Sequence, residues 1–245
     1  MARRADSRTD VVIPYKSTHD QLELRYALRS IDKYFKNLGT VYLVGDKPDW
    51  VQNVVHVYNS NREHKRLNVG YALRMALWQD ELRENIVIWH DDMFLLRELS
   101  AIPLWHGKSI KELSRLYNGM YPSSYYTRTI KSTDLPIELP HFELHIPMPA
   151  NKKLLAEQLG DHPPEKSYLM RTAYMVKNTE PSDWEYHQDV KIHSYSGSKG
   201  WQDQERFDTF VSSADNIFLG VIYPILKDRF PEPSKFEADA PQNTI

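Results

Sequence analysis

Between Asp10 and Asp92 short β-branched runs alternate with stretches of helical apolar spacing, and this alternation restricts the chain to a largely parallel α/β sheet. Asp10-Val11-Val12-Ile13-Pro14 predicts a buried strand that Pro14 stops. Leu24, Leu28, Ile31 and Phe35 then recur at helical spacing, with Thr18 or Asp20 as N-cap and Gly39 as terminator. Val41–Val44, closed by Gly45-Asp46-Lys47-Pro48, predicts a second strand, and Val54–Val57 a third. After the polar loop from Asn59 to Arg66, a helix carries Val69, Leu73, Ala76 and Leu77. The fourth strand, Ile86–Trp89, ends in His90-Asp91-Asp92. Sheets of this kind bind ligands beyond the carboxyl ends of their strands. The expected crevice is therefore lined by Pro14, Tyr15, Lys16, the turn at Asp46, the Asn59–Asn68 stretch with Arg66, and His90–Asp92.

Beyond residue 100 the periodicity weakens, with prolines at 103, 122, 136, 140, 147 and 149. Helices are expected near Leu154–Leu159, Tyr168–Val176 and Asp215–Arg229, the last kinked or cut short by Pro224. The reading is one catalytic domain over 1–230, with a donor-binding half at 10–100 and a loop-rich acceptor half at 101–230. A Pro-rich tail, 231–245, frays at its end. Apolar residues at 41% exclude a disordered chain, and no apolar run approaches the ~20 residues of a membrane span. The absence of cysteine removes disulfides, thiol nucleophiles and Cys-zinc sites. The charged start Met1-Ala2-Arg3-Arg4 runs into Asp6 rather than an apolar segment, so no secretory signal is read, and a cytoplasmic setting is expected. A net charge of −2 advertises no polyanionic partner.

Asp91 and Asp92 form the strongest chemical feature. Adjacent carboxylates at a strand end repel unless a proton or cation intervenes, and Mg²⁺ or Mn²⁺ shared with substrate phosphates meets that need. The plainer alternative is a solvated turn capping a helix over Met93–Glu98. His141-Phe-Glu143-Leu-His145-Ile-Pro147 is the second feature. Bracketed by Pro140 and Pro147, it disfavours a helix and is not the zinc-protease motif. His145 suits a general base, and Glu143 beside it suits orienting the imidazole, although a satisfied structural histidine also explains the pattern. Lys16, Lys47, Lys65, Arg66, Arg171 and Lys177 are candidate phosphate partners, and Asp189 and His193 offer a reserve base and a further metal ligand. Neither a Gly-x-Gly-x-x-Gly nor a P-loop segment occurs, so phosphate must be held by side chains or metal.

Three segments carry a resemblance: Arg25-Tyr-Ala-Leu-Arg29-Ser-Ile31, Val41-Tyr-Leu-Val-Gly-Asp46-Lys-Pro-Asp-Trp50 and His90-Asp-Asp-Met-Phe-Leu95. They are followed in order by His145-Ile-Pro147, Arg171, Asp189-Val-Lys-Ile192 and Phe230-Pro-Glu-Pro-Ser-Lys-Phe-Glu237. Across residues 10–237 the chain resembles a short phage or bacterial form of the Stealth proteins, capsular-polysaccharide sugar-phosphate transferases, which are similar to nucleotide-sugar transferases of the GT-A fold. The resemblance implies a GT-A-like, Rossmann-like sheet. It also implies an acidic pair, Asp91 and Asp92, on metal and diphosphate, a motif histidine at 145, and Arg171 on phosphate. His90 stands where the family has Asn. The expected activity is metal-dependent transfer of a sugar from a nucleotide-sugar donor, a UDP-sugar foremost, with Lys16 and Asp46 on the nucleoside, Asn68 nearby, and Tyr15 stacked on the base. The alternatives are sugar-1-phosphate transfer or a non-catalytic nucleotide- or glycan-binding module. The acceptor is a hydroxyl of a glycan or of a hydroxymethylated phage DNA base. Tyr125, Tyr126, Arg128 and Lys131 form the aromatic-basic cluster that suits the latter.

Overall fold

The computed structural model describes residues 8–17, 20–60, 65–161, 168–194 and 199–238, without the side chains of residues 65–67, 125 and 215. Its strands are β1 (Thr9–Tyr15), β2 (Leu38–Gly45), β3 (Val55–Val57), β4 (Asn85–Ile88), β5 (Met93–Leu95), β6 (Trp105–His106), β7 (Met148–Asn151), β8 (Glu185–Tyr186), β9 (Lys191–Ile192) and β10 (Phe210–Ser213). Its helices are α1 (Leu22–Tyr34), α2 (Lys65–Leu77), α3 (Ile110–Met120), α4 (Tyr125–Lys131), α5 (Lys152–Asp161), α6 (Met170–Asn178), α7 (Asp215–Ile217) and α8 (Tyr223–Arg229).

The architecture is a mixed α/β fold around a mostly parallel sheet of order β3-β2-β1-β4-β7, in which only β7 runs antiparallel. Neighbouring residues of β1 point to opposite faces. Val11 and Ile13 join a core with Leu24, Leu28 and Ile31 of α1, while Val12 joins Leu73 and Ala76 of α2 on the other face. Burial on both faces is why these strands read as continuous apolar runs. Strand β1 continues through Pro14 to Tyr15 instead of stopping. Its pairing with β4 ends at Val12↔Ile88, so Pro14 faces a strand only at Val44 of β2 and its missing N–H interrupts no ladder.

The helix expected after β1 is α1, but Gly39 does not end it. The chain already turns extended at Phe35, and Gly39 lies inside β2, where an added Cβ would meet Oδ1 of the buried Asp10 at 2.3 Å. Of the two expected caps, Thr18 lies outside the described residues, and Asp20 Oδ1 accepts from Leu22 N at 3.2 Å. The expected helix over 215–229 is broken into α7, a π turn at Phe218–Ile222, and α8, which Pro224 opens instead of kinking.

A second sheet, β5-β10-β9, lies downstream of β4. No helix follows Asp92; Met93 enters β5 directly, antiparallel to β10. Met93 and Lys191 both pair with Ser212, so this register brings the ends of β4 and β9 together across β10.

The folded unit also runs past residue 230. Glu237 is 5% exposed and takes Arg29 Nε at 2.7 Å, Arg29 Nη2 at 2.8 Å and Arg25 Nη1 at 2.9 Å. Arg25 stacks over Trp50, its guanidinium carbon 4.4 Å from the ring centroid, and Ala238 N donates to Trp50 O at 2.7 Å. Three segments that carry the sequence resemblance therefore meet in one lock. Among the described residues, no helix is long and apolar enough to cross a membrane.

Candidate active site

Successive parallel strands run outward from β1 through β2 to β3, while β4 lies on the other side of β1, so the strand order reverses between β1 and β4. The crevice outside the carboxyl ends at such a reversal is where open α/β sheets bind ligands. His90, Asp91 and Asp92 follow β4 at that edge.

The charge that answers Asp92 is Lys191. Its Nζ donates to Asp92 Oδ2 at 2.8 Å, with both side chains mostly buried, and Ser212 Oγ donates to the same oxygen at 3.3 Å. Burial would raise the Asp92 carboxyl, but the Lys191 ammonium with its hydrogen bond and the neighbouring His90 and His145 together hold the group down at about 2. His90 is desolvated in the same wall, and burial lowers it to about 4 against the pull of Asp92, so its imidazole is neutral at pH 7. Asp91 sits half-buried beside them.

His145 is joined to Asp189 twice. Its backbone N donates to Asp189 Oδ1 at 2.9 Å, and its Nδ1 lies 2.8 Å from Oδ2. Burial opposes ionisation of Asp189, yet His145 and these hydrogen bonds hold its carboxyl well below the usual range. An ionised carboxylate only accepts, so Nδ1 carries the proton and Nε2 is left as the basic nitrogen. The His193 ring stands edge-on to His145, centroids 6.0 Å apart, and burial with the neighbouring His145 pushes it below the ordinary histidine value.

Glu143 does not orient His145. Its Oε1 accepts from Thr172 N and Thr172 Oγ1, both at 3.1 Å, which satisfies a first-turn amide of α6 whose own N-cap, Leu169, has no capping side chain. Buried there, its carboxyl is pushed up. Arg171 is likewise turned inward, with Nη1 donating to Leu144 O and Nη2 to Ile146 O, instead of being aimed at the crevice for phosphate.

The donor-side candidates divide. Lys16 is exposed beyond β1, and Asp46 Oδ2 accepts from Ser17 N at 2.8 Å, tying the loops after β1 and β2 together. Pro14 is buried in β1 and Asn68 in α2. Tyr15 is 4% exposed and packed in the core, so its ring has no face to offer a base. The Arg66 side chain lies outside the described residues. Tyr58, directly after β3 and 72% exposed, is the aromatic that does stand at this edge. Sequence reasoning also missed Lys191 and Ser212. Lys191 sits one residue before Ile192 in a recognised motif, but only strand register reveals its partner.

Among the described residues no cluster of three His, Asp or Glu suited to a metal occurs, and Asp92 Oδ2 is engaged by the Lys191 ammonium, so the expected dication would rest on Asp91, the second Asp92 oxygen and the donor phosphates.

Neither a protein-family model nor a curated protein matches this sequence. Among solved structures, the glycosyltransferase GlyE of Streptococcus pneumoniae TIGR4 is similar with a TM-score of 0.45 at 9% sequence identity. That match covers 92% of this chain, which spans 60% of the GlyE structure.

Proposed function

We propose that the protein is a glycosyltransferase that moves a sugar from a nucleotide-sugar donor, a UDP-sugar foremost, to an acceptor hydroxyl. The observation that carries this reading is the His145–Asp189 pair, joined at 2.8 Å, with the Asp92–Lys191 pair near enough for His145 to act on Asp92 electrostatically. His145 Nε2 takes the acceptor proton as the hydroxyl oxygen attacks the anomeric carbon. The bond from that carbon to the donor phosphate oxygen breaks, and its electron pair leaves on the nucleoside diphosphate. Asp189 keeps the imidazole in the competent tautomer and stabilises the imidazolium that forms. Lys191 supplies positive charge where negative charge grows on the leaving group, inside a wall dry enough to strengthen that interaction. Lys16 and Asp46 face the nucleoside, and Tyr58 replaces Tyr15 as the ring for its base.

A glycan hydroxyl suits the acceptor side better than DNA. In the α4 cluster Tyr126 is packed edge-on against Tyr117, centroids 4.7 Å apart, which removes one stacking face that a nucleic-acid strand would use. The order of motifs that resembles that of the Stealth proteins favours a second reading, sugar-1-phosphate transfer, in which phosphorus is attacked and the monophosphate is released.

Incubating the protein with a panel of UDP- and GDP-sugars and glycan acceptors, and identifying the freed nucleotide, tests the proposal. Nucleoside diphosphate with a glycosylated acceptor supports it. Nucleoside monphosphate supports the second reading, and tight nucleotide-sugar binding with no release makes the protein a binding module.

A further inference from the structure

Between Pro140 and Pro147 the chain belongs to no helix or strand, yet it carries His145. Its backbone from Phe142 to Ile146 is held by side chains from elsewhere. Phe142 N donates to Thr172 Oγ1 at 3.0 Å, Leu144 O and Ile146 O accept from the two terminal nitrogens of Arg171, and His145 N donates to Asp189 Oδ1 at 2.9 Å. The two carbonyls taken by Arg171 flank His145 on either side. Arg171 and Thr172 stand together in the first turn of α6, which Glu143 caps from within the same segment. A planar guanidinium can bridge two carbonyls with two parallel N–H groups, whereas an ammonium offers a single point of charge.

We propose that Arg171 is a positioning residue that fixes the height and orientation of His145 by clamping the peptide carbonyls before and after it, and that Thr172 is the second anchor of this clamp. The inference rests on the reading of His145 as the base. It removes Arg171 from the set of phosphate contacts. Catalytic effectiveness falls steeply when a reacting group shifts by even 1 Å, so a residue that touches no substrate controls turnover through the seat of the imidazole.

Arg171→Lys keeps the charge and loses the bridge, while Arg171→Met loses both. With donor and acceptor saturating, both variants of the full chain should lower kcat by about tenfold to a hundredfold with donor KM within about threefold. The same variants should shift or broaden the downfield NMR signal of the His145 Nδ1 proton, assigned by its disappearance in His145→Ala. Thr172→Val, a milder change, should move that signal in the same direction and lower kcat by about threefold to tenfold, which keeps the test decisive if the Arg171 variants fail to fold. Wild-type kcat in Arg171→Lys, with a raised donor KM in Arg171→Met, would overturn the clamp and return Arg171 to phosphate. An unmoved imidazole signal in every folded variant would overturn it too. The signal is read without turnover, so an active His145→Ala enzyme would defeat the catalytic reading while leaving the clamp separately testable.

Discussion

His145 presents both its amide and its imidazole to one partner, donating to the two carboxylate oxygens of Asp189 at 2.9 and 2.8 Å. One side chain thereby fixes the backbone position and the tautomer of the proposed base together. Asp189→Asn leaves a neutral amide that can donate as well as accept, so the Nδ1 proton is no longer enforced. Steady-state kinetics at pH 7 should show kcat reduced by about 10²–10⁴, with donor KM little changed. A loss confined to KM would make Asp189 a binding residue.

Lys191 is the resident partner of Asp92, and removing it strands a mostly buried carboxylate. Lys191→Met should cost about 3 kcal/mol in urea denaturation. The folded Asp92 carboxyl lies near 2, below its value in the unfolded chain, so the pair stabilises the fold at neutral pH and its contribution is lost as pH falls from about 4 to 2. The variant should therefore lose that acid-side step. Asp92→Asn combined with Lys191→Met should recover most of the stability and none of the activity.

With that ammonium in place, donor turnover is expected to persist after dialysis against EDTA, within about twofold of its value in Mn²⁺, a difference of under about 0.5 kcal/mol in activation free energy. Activity abolished by EDTA and restored by Mn²⁺ or Mg²⁺ would show that an ion displaces Lys191 from Asp92.

His141 is a different kind of histidine from His145. Its ring is buried against Gly107, where an added Cβ would lie 2.2 Å from Nε2, and its Nδ1 has no hydrogen-bond partner among the described residues. Burial lowers it to about 4, below its value in the unfolded chain. The unfolded chain binds the extra proton first, so folding stability should fall by as much as about 3 kcal/mol as pH drops from about 6.5 to 4. Chemical denaturation at stepped pH should show this slope added to that of His90, which burial also holds at about 4, and His141→Asn should remove about half of it.

The Glu237 lock predicts an effect without chemistry. Glu237→Ala leaves Arg29 and Arg25 without their carboxylate and should destabilise the fold by about 3 kcal/mol. Turnover per folded molecule should stay at the wild-type value, which a parallel thermal melt and activity titration would measure.

The alternation of strand and helix through residue 92 was legible because apolar spacing is a local property, and β1 to β4 stand where it puts them. The short strands β7, β9 and β10 were not, since Met148–Asn151 and Lys191–Ile192 carry too few residues to show a period and owe their form to strands far along the chain. The site divides in the same way. Asp92 and His145 were readable from their position after a strand and between prolines. The partners Lys191 and Asp189 sit 99 and 44 residues away from them, and only register across β10 and the fold of the 141–147 segment bring them in. Glu143 and Arg171 illustrate the converse. Their residue types suit catalysis, but the cap of α6 and two buried carbonyls claim them first.

The most direct measurement is nucleotide release from the saturating donor by wild-type protein and by His145→Ala, followed with acceptor present and both proteins shown to be folded. The account predicts one nucleoside diphosphate freed per acceptor glycosylated by the wild type, and a rate at least about a hundredfold lower in the variant. Equal rates in the two proteins would contradict it.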